Sequence, residues 1–109
     1  MFILYNRLNR NPSLMKNISE FKLSLEKDSP DSDLSIQLLA LWYDAKGDWN
    51  TAHKQVDHLN DRASARIHAY LHRKEGDIWN ADYWYAKAGE KLPQISLDGE
   101  LDELIQRFL

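Results

Sequence analysis

The chain repeats itself at an offset of twenty-nine residues. "ALWYDAKGDWNTAHKQVDHL" (40–59) lies over "AYLHRKEGDIWNADYWYAKA" (69–88), so that Ala40 meets Ala69, Gly47-Asp48 meets Gly76-Asp77, and Ala52 meets Ala81. Each member of the pattern has a physical job. Glycine accepts the positive φ that ends a helix. The aspartate after it offers a carboxylate to the free N–H groups at the start of the next helix, at the positive end of its dipole. Alanine five residues past the glycine lets the two helices approach closely. Each unit is therefore expected to be helix, Gly-Asp turn, helix, with Gly47 and Gly76 both at positive φ.

The flanking sequence extends the helical reading. "NPSL" separates residues 1–14 from the rest as an N-terminal arm, strand-like or disordered and docking on the body or on a neighbouring molecule. Met15 opens a helical pattern through Ile18, Phe21, Leu23 and Leu25. After the loop "KDSPDSD", Leu34, Leu38, Leu41, Trp42 and Ala45 recur at three and four spacing until Gly47. Further helices are expected from about Trp49 to Leu59, from Arg62 to Glu75 with Asp61 as N-cap, and from Ile78 to Ala88. Ser96 or Asp98 caps a last one through Leu101, Leu104, Ile105 and Phe108, with Gly99 weakening its first turn. No stretch alternates with period two long enough to require a sheet. The expectation is an all-α domain over 15–109, a bundle of five or six helices.

Composition narrows the class of function. Fourteen Lys and Arg are scattered among seventeen acids for a net charge of −3, which argues against nucleic-acid binding. No cysteine is present, so disulfides and thiolate metal sites are excluded. The opening "MFILYNRLNR" lacks the basic stretch and the long apolar run of a signal peptide, and no run approaches a membrane span. A soluble, cytoplasmic protein is expected, without a membrane partner.

The repeat resembles the tetratricopeptide family, in which Gly is followed by Ala five on, an aromatic nine on and Ala twelve on. Gly76, Ala81, Tyr85 and Ala88 match all four; Gly47 and Ala52 match two, with Val56 and Leu59 at the other places. The resemblance covers about half the chain and implies two helical hairpins, a packing scheme rather than a reaction. A closer likeness is carried by "HAYLHRKEGD..NA.YWY..AG" preceded by "ALWYDAKGDW..AH". Residues 15–109 resemble a family of short, uncharacterised bacterial proteins, which implies a bacterial cytoplasm and no particular chemistry.

Candidate chemistry centres on 68–85. His68 and His72 are one helical turn apart, and Glu75 continues their face. Two imidazoles at i and i+4 suit zinc, but the residue after the first is Ala69 rather than the glutamate that zinc proteases use as base. With no evident third ligand beyond Glu75, the histidines are expected to flank the buried stripe, hydrogen-bonded to neighbouring helices and holding no metal. His53 and Asp57 read as an i,i+4 surface pair. No catalytic residue and no cofactor is expected: there is no nucleophile elbow and no phosphate loop.

The aromatics divide between faces. Tyr85 falls on the inward stripe with Ala81 and Ala88, Trp84 lies beside it, and Trp79 and Tyr83 lie four apart on another face. Either the C-terminal helix covers that second face or another molecule does, and the apolar stripe of the helix favours the first for part of it. The leading expectation is a non-enzymatic interaction module that binds a peptide, a protein or its own copy. The alternative is a small ligand-binding protein or metal-dependent enzyme whose site is drawn from His68, His72, Arg73, Trp79, Asp82, Tyr83 and Trp84.

Overall fold

The computed structural model describes residues 17–109, so the proposed arm lies outside the described residues. Among those residues the chain is all-α, with six helices: α1 (Ile18–Ser24), α2 (Ile36–Ala45), α3 (Trp49–Val56), α4 (Arg62–Glu75), α5 (Ile78–Lys87) and α6 (Leu97–Phe108). None of them is long and apolar enough to cross a membrane.

The two repeat units are locally alike. Gly47 has φ 90° and Gly76 φ 91°. Asp48 and Asp77 cap α3 and α5, their carboxylates accepting from Thr51 N and Asn80 N at 3.0 and 3.2 Å. The same turn closes both first helices: Asp48 N donates to Tyr43 O and Asp77 N to His72 O, each at 2.9 Å. The four repeat alanines, Ala40, Ala52, Ala69 and Ala81, are fully buried. They let α2 pack on α3 and α4 on α5. A Cβ at Gly76 would meet no neighbouring atom, so only the backbone angle opposes one. Gly76→Ala is accordingly expected to lose about 1–2 kcal/mol of stability in a denaturant titration; a neutral result would show that the turn relaxes freely.

Helix α3 also touches α4, and α2 touches α4, which joins the two pairs. The main core collects Phe21, Leu38, Leu41, Trp42, Val56, Ile67, Tyr70, Leu71, Leu104 and Ile105. Trp42 ties α1 to α2 by donating from Nε1 to Ser24 Oγ at 3.2 Å. Lys46 donates to Leu25 O and Lys27 O at 2.8 and 2.9 Å, satisfying carbonyls after α1 that no helical N–H reaches. Leu23, part of the expected stripe, points outward at 66% exposure because α1 contributes a single narrow face.

Helix α6 departs from expectation in where it packs. Its backbone lies against α1, α2 and α4 rather than α5, which it meets through the Tyr85 hydroxyl on Glu100, so it does not cover the Trp79–Tyr83 face. Ser96 is its cap, accepting from Gly99 N at 3.0 Å. Gly99, expected to weaken this turn, leaves room for that cap: a Cβ there would stand 3.2 Å from the Ser96 hydroxyl. Beside the buried Leu104 and Ile105, α6 carries an ionic network. Glu100, fully buried, accepts from Arg73 Nη1 at 2.7 Å and from the Tyr85 hydroxyl at 2.5 Å. Arg66 Nη1 stands 2.8 Å from the same carboxylate, as an ion pair rather than an aligned hydrogen bond. Arg66 Nε donates to Glu90 at 2.9 Å, and Arg107 from α6 closes on Glu90 at 2.8 Å.

Candidate functional site

The seven residues drawn together in sequence fall into three places. Arg73 turns towards α6, donating to Glu100 and, at 2.5 Å, to Ile95 O, so it belongs to the buried ionic network rather than to a ligand rim. Trp79, Asp82 and Tyr83 lie on the outer face of α5, with Trp79 81% and Tyr83 51% exposed. His68, His72 and Trp84 lie between α5 and the first helix pair.

The division follows from helical geometry. Ala81 and Tyr85 put one side of α5 against Ala69 of α4, and Tyr85 is only 1% exposed. Residues 79 and 83 then face away. Trp84, at the edge of the buried side, lies flat on His68, with centroids 4.0 Å apart and planes 19° from parallel. It is half-buried rather than enclosed.

The structure adds two residues that spacing along one helix did not show. His53 and Trp49, both from α3, complete the group. His53 Nε2 and His68 Nε2 are 3.0 Å apart. The ligand nitrogens of His53, His68 and His72 all lie within 4.8 Å of one another. Trp49 stacks on His53 at 4.7 Å and 11°, and its Nε1 donates to Leu71 O at 2.8 Å, which fixes the indole. Three imidazoles are therefore backed by indoles at both ends, Trp49 beyond His53 and Trp84 beyond His68.

Carboxylates stand behind two of the rings. His72 Nδ1 is 2.5 Å from Glu75 Oε1. His53 Nδ1 is 3.8 Å from Asp57 Oδ2, so the expected surface pair is present, but one of its members also faces inward. Asp57 is shared with exposed His58, at 3.2 Å. Glu75 and Asp77 form a second grouping with His72, although Asp77 already serves as the cap of α5.

Burial disfavours the charged form of two of these rings, His68 and His53. Burial, reinforced by His53 and His72 beside it, pushes His68 down to about 4. Burial and the neighbouring His72 also lower His53. Neutral imidazoles retain a lone pair on one nitrogen, the form in which histidine binds metals. His68 Nδ1 is buried without a hydrogen-bond partner, a position that costs roughly 1–3 kcal/mol for a polar atom.

Comparison of the chain with protein-family models, curated proteins and solved structures gave no match.

Proposed function

We propose that this chain is a non-enzymatic interaction module built on two tetratricopeptide-like hairpins, α2–α3 and α4–α5, and that it recognises a basic segment of a peptide or protein partner. The observation that carries the reading is the outer face of α5. Ile78, Trp79 and Tyr83 form an apolar ridge there that α6 leaves uncovered. Large aromatics held out on a rigid helix are the usual anchors of interfaces.

Charge selects the partner class. Asp82 lies on the exposed face of α5 with no ion pair among the described residues, and Asp77 caps the start of that helix. The ridge also accepts a cation already: Lys87 Nζ lies 5.7 Å from the Tyr83 ring centre and 5.6 Å from that of Trp84. A lysine or arginine of a partner, followed by an apolar residue, would use the same rings and the same acids. A bacterial cytoplasm is the setting that the motif resemblance implies.

The test is titration of the protein with Lys/Arg-containing and acidic peptides of matched apolar content, followed by Trp fluorescence. Basic peptides are expected to bind, and Trp79→Ser is expected to weaken binding at least tenfold, roughly the scale of a hot-spot residue. Equal affinity for acidic peptides would sink the assignment. A concentration-dependent dimer in light scattering, lost in Trp79→Ser, would instead make the occupant a second copy. A second reading, in which the histidines hold a ligand, is favoured by the entry of His53 into their cluster.

A further inference from the structure

We propose that His53, His68 and His72 bind one divalent transition-metal ion of the zinc, cobalt, nickel and copper(II) class in the seam between the two helix pairs. The inference is independent of the α5 ridge.

Geometry carries it first. Two nitrogens that share an ion at about 2.0–2.1 Å, with an angle between square and tetrahedral, sit roughly 2.9–3.4 Å apart. His53 Nε2 and His68 Nε2 are already 3.0 Å apart, although they come from different helices. His72 lies one turn along α4 from His68, with the three ligand nitrogens within 4.8 Å of one another. Closing the set means bringing pairs that lie within 4.8 Å to the roughly 2.9–3.4 Å of a shared ion.

The surroundings are those of a ligand set. A metal-bound imidazole normally gives its other ring nitrogen to a carboxylate or carbonyl, which fixes the tautomer and aims the ligating lone pair. Glu75 stands at His72 Nδ1 and Asp57 near His53 Nδ1, which leaves Nε2 of both rings for the centre of the cluster. Trp49 and Trp84 lie flat against His53 and His68 and restrict ring rotation. A plain hydrogen-bonded histidine pair explains one contact of 3.0 Å. It does not explain a third imidazole, nor a carboxylate at His72 Nδ1 and another near His53 Nδ1.

The donor set names the class of ion. Three imidazole nitrogens, without thiolate and without an inner carboxylate, suit borderline divalent ions and disfavour magnesium and calcium, which require oxygen. Three protein ligands leave a coordination position for water or for an outside group. His53 is the ring through which that position opens, its side chain being 24% exposed. Because His53 comes from α3 and the other two from α4, a bound ion would also fasten the first helix pair to the second.

The experiment uses the full chain, stripped with chelator and titrated with zinc chloride by calorimetry and with cobalt(II) chloride by visible absorption. One ion per chain is expected, at a dissociation constant of roughly 1 μM or tighter, with the intense visible bands of a four-coordinate cobalt site. His68→Gln and His53→Gln are each expected to weaken binding at least a hundredfold. Glu75→Gln should weaken it roughly 10–100-fold, the usual effect of removing an outer carboxylate. His58→Gln, outside the cluster, should leave affinity unchanged. Asp77→Asn separates the second grouping around His72: unchanged affinity is expected, and a loss would move the ion there and overturn the assignment. Folding of each variant is read from its helical circular dichroism. If a histidine variant fails to fold, the cobalt spectrum of the parent decides, since three imidazole ligands and an open position give a four-coordinate site. Absence of stoichiometric binding by the parent overturns the proposal, as does affinity that survives His68→Gln in a folded protein.

Discussion

Replacing Glu100 by glutamine is expected to destabilise the protein by about 3–5 kcal/mol. Its carboxylate is fully buried between the guanidinium groups of Arg66, at 2.8 Å, and Arg73, at 2.7 Å, and it accepts the Tyr85 hydroxyl. Glutamine preserves the shape but withdraws the negative charge, leaving Arg66, itself only 2% exposed, with Glu90 as its close partner. Breaking a buried ion pair from one side has that magnitude because the remaining charge cannot regain water. Denaturant unfolding of Glu100→Gln beside Glu103→Gln measures it. Glu103 is about half exposed and 4.0 Å from Arg66, so its loss should be worth under about 1 kcal/mol. Equal effects from the two variants would mean that α6 is held by its apolar face alone.

That network also marks the limit of what could be read from the sequence. The Gly-Asp turns were legible because each depends on residues within a few positions: Gly47 and Gly76 have the left-handed φ, and Asp48 and Asp77 cap as spacing requires. The helix over Arg62–Glu75 was legible at both ends, from Asp61 and Gly76. The docking of α6 was not. Leu104 and Ile105 gave it an apolar stripe, but a stripe does not say which neighbour it meets. Nor does spacing along the helix show the partners of Glu100, which pairs with arginines twenty-seven residues or more away in sequence.

The same distinction governs the candidate site. His68 and His72 were visible as a pair because one helix sets their spacing. His53 was read with Asp57 on its own helix, which is correct and incomplete: a side chain at the edge of a helix can touch a carboxylate one turn away and a neighbouring helix together. The missing signal was the alanine before it. Ala52, one of the repeat positions, is buried where α3 approaches its neighbours, so the next residue stands at the margin of that contact. Arg73 and Asp82 illustrate the converse. Both were near the histidines in sequence, and the fold sent one to α6 and the other to solvent.

Tyr85→Ala is expected to cost about 3–5 kcal/mol, the range for emptying an enclosed aromatic site. Tyr85 is 1% exposed and packs with Ala69 and Ala81, two alanines too short to refill the space left by its ring. Arg66 lies 4.8 Å from the ring centre, so the ring also covers a buried guanidinium. Tyr85→Phe separates the ring from its hydroxyl. The hydroxyl donates to Glu100, and burial together with that bond holds its pKa above the ordinary tyrosine range, so it remains a donor at neutral pH. Its removal leaves Glu100 one acceptor contact short and is expected to cost about 1–2 kcal/mol. Because Tyr85 and Glu100 touch, the two losses should not add: a Tyr85→Phe, Glu100→Gln double variant is expected to fall short of the sum by at least about 0.5 kcal/mol. Thermal or denaturant unfolding of the four proteins completes the cycle. Strict additivity would show that the hydroxyl contributes nothing to holding the carboxylate, and a loss under about 1 kcal/mol in Tyr85→Ala would show that α5 repacks around the gap.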